Sequence, residues 1–103
     1  MRKDAIYARQ SVDKKDSVSI ETQIEKCEMV DDKGSLIFKD KGYSGKNTDR
    51  PDLTRLIAEI KENKVNRVIV YRLDRISRNI KDFYSLYSIM QEHHTEFVSV
   101  NEN

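Results

Sequence analysis

Residues 65 to 71, VNRVIVY, carry their apolar side chains as a run and not in alternation. A strand with one wet face alternates apolar and polar positions. A continuous apolar run fits a strand covered on both faces, the usual state of a parallel sheet. The flanking pattern agrees. DAIYA at 4–8 reads as a first strand and SLIFK at 35–39 as a second, and 96–100 reads as a fourth. Between them, Ile20, Ile24 and Cys27 share one helical face, with Ser19 as N-cap and Gly34 as terminator. Leu53, Leu56, Ile57 and Ile60 repeat at helical spacing after Pro51, which suits a first helical turn. Ser77 is placed to cap a third helix, with Ile80, Phe83, Tyr84, Tyr87 and Met90 expected to face the core. Residues 10–19 and 40–50 read as polar loops. The order βαβαβαβ predicts a three-layer α/β/α architecture, a flavodoxin-like parallel sheet with helices on its faces.

At 103 residues the chain is one domain with one core, and 36% charged residues against 37% hydrophobic ones is a foldable balance. The net charge of +1 gives no bulk pull towards nucleic acid. The local distribution is uneven. Arg67, Arg72, Arg75, Arg78 and Lys81 surround one acid, Asp74, whereas from Asp82 onward there are four acids and no Lys or Arg. One cysteine, Cys27, cannot form an internal disulfide, and a cytoplasmic setting is expected. Met1-Arg2-Lys3-Asp4 does not lead into the apolar region of a secretory signal, and no apolar run approaches the roughly 18 residues of a membrane span.

Open parallel sheets bind ligands beyond the carboxyl ends of their strands. The sequence puts Arg9 and Ser11 there after the first strand, with Gln23 in the first turn of the following helix. Asp40, Ser44 and Arg50 follow the second strand, and Arg72, Asp74, Arg75 and Arg78 follow the third. A serine hydroxyl facing several guanidiniums suits phosphoryl chemistry. Guanidinium binds phosphate oxygens bidentately, holds its charge, and stabilises the charge that builds on a phosphorus under attack. Asp40 and Asp74 are expected to orient arginines. GYSGKN lacks the spacing and the Ser/Thr of a nucleotide phosphate loop. His93 and His94 are adjacent on a helix and cannot share a metal, and no histidine is placed for a Ser-His-Asp triad.

These residues resemble, in order, the motifs of the serine recombinases, the resolvase/invertase group. YARQS at 7–11, SIETQ at 19–23, DKGYSGKNTDRPDL at 40–53, YRLDRISRN at 71–79 and FVSVNEN at 97–103 all match, and the match covers nearly the whole chain. The long polar stretch before Gln23 and the wording YSGKNTDRP look more like the large serine recombinases, of integrase and transposase type. The resemblance implies that Ser11 attacks a DNA phosphodiester to give a 5′-phosphoserine link and a free 3′-hydroxyl. It implies that Arg9, Arg75 and Arg78 hold the scissile phosphate with Arg50 nearby, that Asp74 positions arginines, and that Gln23, Asp40 and Ser44 complete the site; Arg72 is a further DNA-binding candidate. It implies double-stranded DNA as partner, a homodimer and homotetramer on DNA in the full-length protein, and no metal, nucleotide or other cofactor. Residues 1–103 are then a catalytic domain from a longer protein, without its dimerisation helix and DNA-binding regions. Two other readings stay open on the residues. One is a non-catalytic phosphate-binding or docking module on the same sheet, and the other is an interaction domain that uses the tyrosine-rich third helix.

Overall fold

The computed structural model describes residues 2–10, 18–30, 34–41, 50–76 and 80–101. Four strands, β1 (Lys3–Gln10), β2 (Leu36–Lys41), β3 (Val65–Val70) and β4 (Glu96–Ser99), form one sheet in the order β2-β1-β3-β4. Every pairing is parallel. The helices are α1 (Ile20–Glu28), α2 (Pro51–Lys61), α3 (Leu73–Ile76) and α4 (Ile80–Glu92).

Side chains alternate across the strands, and each face of the sheet has its own cover. Ile6, Ile37, Ile69, Val98 and Val100 pack with Ile24 and Cys27 of α1. Ala5, Tyr7, Phe38, Val68 and Val70 pack on the opposite face with Leu53, Leu56 and Ile60 of α2, Ile76 of α3, and Leu86 and Met90 of α4. The unbroken apolar run of β3 thus splits between two cores, as expected for a central strand. Burial pushes the Cys27 thiol up to about 12, so it stays protonated and packs as a small apolar group.

The helix signals hold in part. Ser19 caps α1 by accepting the Thr22 N–H at 3.1 Å, and Pro51 opens α2. Helix α1 stops at Glu28, well before Gly34, because its apolar face ends at Cys27; Met29 and Val30 are exposed and close a turn onto Lys26 and Cys27. Gly34, with φ of +78°, instead turns the chain into β2. Strand β1 runs past Ala8 to Gln10, and β2 includes Asp40 and Lys41, because Arg9 pairs with Asp40 and Gln10 with Lys41.

The third helix differs most. The one-turn α3 precedes α4, and Ser77 lies outside the described residues. Ile80 and Tyr84 are 75% and 62% exposed and Tyr87 is also exposed, contrary to the expected core face. The buried side of α4 is Leu86 and Met90, with Phe83 and Ile89 packed against them. Neighbouring helical residues point about 100° apart, so a stripe chosen one residue off lands on solvent. Phe83 bridges the two sides by stacking on Tyr87 at 5.7 Å and meeting Phe97 edge-on at 5.3 Å.

At the amino edge of the sheet, Arg67 donates to Asp4 from Nε and Nη2, and Asn66 adds a third bond. Burial opposes ionisation of Asp4, but the bonds from Arg67 and Asn66 and the Arg67 charge outweigh it and lower the pKa. Arg67 is thereby engaged away from the carboxyl edge. Thr95 donates to Val65 O at 2.9 Å and Arg2 reaches the carbonyls of His93 and His94, which ties the end of α4 to the same edge. Among the described residues no helix is long and apolar enough to cross a membrane.

Leu56→Ala is expected to lower stability by about 2–5 kcal/mol, whereas Tyr84→Ala should stay within about 0.5 kcal/mol of the parent chain. Urea midpoints with unchanged slopes would check both.

Candidate active site

Strand β3 pairs with β1 only as far as Tyr7↔Val70, while β1 continues to Gln10 along β2. This is also where the strand order turns outward in both directions, the place where open α/β sheets leave a crevice. Beyond Tyr7 the main chain of Arg9 lacks a β3 partner, and a side chain takes that place. Gln23, wholly buried in α1, accepts the Arg9 N–H at 3.2 Å and donates to Arg9 O at 2.9 Å and to Val18 O at 2.8 Å. Gln23 is therefore no exposed helix polar; it fixes the end of β1 and the approach to α1. Arg9 is itself buried. Ser11 follows one residue after β1 and lies outside the described residues, as do Ser44 and Arg78.

Asp40, at the end of β2, was expected to orient an arginine. It is bonded instead to other groups: Tyr7 Oη donates to Oδ2 at 2.8 Å, the Asp52 N–H to Oδ1 at 3.0 Å, and the Leu53 N–H to Oδ2 at 3.1 Å. Helix α2 has Arg50 at its N-cap without a side-chain cap bond, so Asp40 does that work from a neighbouring strand. Asp52 reciprocates by accepting the Lys39 N–H at 2.9 Å. The end of β2 and the start of α2 are thus clasped together.

Tyr7 lies at the centre. Burial raises its phenol well above the usual range; the Arg50 charge opposes this, the Asp40 bond and charge reinforce it, and Arg9 opposes it more weakly. The hydroxyl stays protonated and serves as a donor. Sequence reasoning gave Tyr7 no role. The available signal was a tyrosine two residues before Arg9 on the same face of a core strand, where a buried hydroxyl needs a partner.

The chain leaves β3 through Tyr71 and Arg72 into α3, whose turn is closed by Arg75 N–H to Arg72 O at 3.0 Å. Arg72 and Asp74 are exposed and Arg75 is buried. Asp74 Oδ1 stands 4.0 Å from Arg75 Nε, so it acts on Arg75 through charge and not through a hydrogen bond. Arg75 Nε has no hydrogen-bond partner among the described residues. Arg50 donates from Nη2 to Ile76 O at 2.8 Å, with Nη1 3.5 Å from Arg75 O, and its guanidinium lies 5.9 Å from the centroid of the Tyr7 ring.

The structure therefore gathers Arg9, Asp40 and Arg50 around Tyr7 at the carboxyl edge, joins Gln23 to Arg9 and Arg50 to the main chain of Arg75, and leaves Arg72 and Asp74 on the rim. Guanidiniums in so sheltered a place stabilise a bound oxyanion more than exposed ones would. Among the described residues no group of three or more His, Cys, Asp or Glu is placed to hold a metal ion.

Comparison with known proteins gives the same picture. The family model "Resolvase, N terminal domain" matches residues 5–103. A putative DNA recombinase of Bacillus subtilis is 31% identical over 100 residues, covering 94% of this chain and 20% of that protein. The transposon Tn917 resolvase of Enterococcus faecalis is 34% identical over 67 residues, covering 65% of this chain and 35% of that protein. The chain thus spans a fifth to about a third of the length of these curated relatives. A serine recombinase structure from Sulfolobus solfataricus superposes with a TM-score of 0.81 at 29% identity, covering 100% of this chain and 71% of that one. The N-terminal catalytic domain of TP901-1 integrase gives 0.78 at 32% identity, covering 97% and 78%.

Two stability measurements test the local geometry. Gln23→Leu strands buried main-chain groups of Arg9 and Val18 and should cost about 1–3 kcal/mol. For Tyr7 the folded pKa is raised, so its contribution is complete below the unfolded value of about 10 and is lost as pH rises beyond it. Between pH 10 and 11 the stability advantage of the parent chain over Tyr7→Phe should shrink at a rate approaching about 1.4 kcal/mol per pH unit. A pH-independent difference would contradict this assignment.

Proposed function

The chain belongs to the resolvase N-terminal domain family, and we propose from that membership that it is the catalytic domain of a serine site-specific DNA recombinase. The observation that carries the reading is the placement of Arg9, Arg50 and Arg75 at the carboxyl edge of the sheet, with Ser11 two residues after Arg9 in the chain. In the proposed reaction Ser11 Oγ forms a bond to the phosphorus of a DNA phosphodiester. The bond from phosphorus to the 3′ oxygen breaks, and that oxygen leaves as a 3′-hydroxyl after taking up a proton, while the serine gives up its own. The 5′ end stays esterified to the protein. Attack by a 3′-hydroxyl of the partner strand reverses the step and reseals DNA without net hydrolysis. Bond energy is retained in the phosphoserine link, so the step as written needs no nucleotide and no metal.

Arg9 and Arg75, with Arg78, hold the phosphate and neutralise the charge that grows on its oxygens. Gln23 and Asp40 act behind them, the first by fixing the main chain of Arg9 and the second by fixing Tyr7 and the start of α2. Ser44 completes the site, and Asp74 and Arg72 stand at the rim, where Arg72 can meet the DNA backbone. The partner is double-stranded DNA and the setting is the cytoplasm. Residues 1–103 represent the catalytic portion of a longer recombinase whose remaining parts read the DNA sequence, a reading supported by the greater length of the relatives. The full-length protein assembles as a dimer and then a tetramer on DNA, and the exposed Ile80, Tyr84 and Tyr87 stripe of α4 supports such self-association.

The test uses the full-length recombinase and nicked duplex DNA from its own element, resolved on a denaturing gel. Wild type should give a covalent DNA adduct and Ser11→Ala none, with Arg75→Ala slowing adduct formation by roughly 10²–10³. DNA binding without any adduct from wild type would favour a phosphate-docking module.

A further inference from the structure

We infer that Arg50 is a positioning residue, setting the guanidinium of Arg75 through the main chain of α3 and not by touching the phosphate itself. The catalytic consequence rests on the recombinase reading; the structural part stands without it.

Arg50 is fixed at its root. It is extended, precedes Pro51, and its carbonyl receives the Thr54 N–H at 3.0 Å. The helix it begins is held to β2 by two bonds to Asp40, from the Asp52 and Leu53 N–H groups, and by the return bond from Lys39 to Asp52. At its tip the two terminal nitrogens face successive carbonyls, of Arg75 and Ile76, where α3 ends after one turn. So short a helix has open carbonyls that need outside donors. A planar fork can meet two carbonyls at once, whereas a lysine ammonium is a single point donor.

Arg75 is the residue this grip controls. Its side chain is buried, its Nε has no hydrogen-bond partner among the described residues, and the Asp74 carboxylate stays 4.0 Å away. Among the described residues no hydrogen bond pins its Nε. Its place follows from where the main chain of α3 sits, which is decided by the burial of Ile76 and by Arg50. The Tyr7 ring beneath Arg50 closes the path: Asp40 holds Tyr7 and the start of α2, α2 holds Arg50, and Arg50 holds α3 under Arg75. Misplacing a catalytic group by about 1 Å can cost as much as 10²-fold in rate.

Two measurements decide the matter. Hydrogen exchange of the Arg75 Nε–H, followed by NMR on this chain, should accelerate about tenfold or more in Arg50→Ala and in Arg50→Lys while the Leu56 amide keeps its protection. Unchanged exchange at Arg75 overturns the inference whether or not the protein cuts DNA, and so does loss of Leu56 protection in both variants, which would make Arg50 a general prop. In the full-length recombinase, Arg50→Ala should slow adduct formation roughly 10- to 10²-fold at saturating DNA, yet change it by less than about twofold when Arg75 is already alanine. Multiplying effects in the double variant would place Arg50 on the phosphate independently and overturn the inference. Absence of any wild-type adduct would defeat the recombinase reading alone, leaving the exchange measurement to judge Arg50.

Discussion

Parallel pairing between β1 and β3 stops at Tyr7 and Val70 while β1 runs on to Gln10. Buried main-chain N–H and C=O groups must be satisfied, so this overhang imposes a requirement on whatever lies beside it. Gln23 meets it with one amide that both donates to and accepts from Arg9. Because β3 ends early, the chain after it can fold into α3 against β1, and Arg50 stands between the Tyr7 ring and the main chain of Arg75.

A second constraint is electrical. The Tyr7 hydroxyl lies in the fields of Arg50, Arg9 and one carboxylate, Asp40, whose oxygens already receive a phenol and two main-chain N–H groups. Burying charge costs several kcal/mol per ion unless partners compensate. Charged groups in so sheltered a place interact more strongly with a counter-ion than exposed ones do. Arg67 shows the opposite case at the other end of the sheet, where an arginine matched to Asp4 and tied to it by two bonds is simply structural.

Much of this was legible from local chemistry. The apolar run of β3 announced a buried parallel strand, Pro51 and Ser19 marked helix starts, and the stripe from Leu53 to Ile60 marked the buried side of α2. The third helical region was read in part: Phe83 and Met90 lie on the buried side as expected, but Ile80, Tyr84 and Tyr87 do not, because aromatic residues dominate a pattern by size. Tyr84 and Tyr87 lie one residue round from the side that Phe83, Leu86 and Met90 present to the sheet, and only packing distinguishes the two stripes.

By itself the sequence determined the layer order, the strands that would be buried, and which chemistry-bearing residues would reach one edge of the sheet, because period and chain order dictate these directly. It also carried the motifs that identify the family. What only the tertiary structure decided was the partner of each polar side chain. Among the described residues Asp40 holds Tyr7 and α2 and no arginine, Gln23 stands in for a missing strand, and Arg50 reaches the end of α3. These partnerships join residues 12 to 33 positions apart in the chain, and no local pattern encodes them. They arise when main-chain groups left open by one element meet a side chain brought in by another.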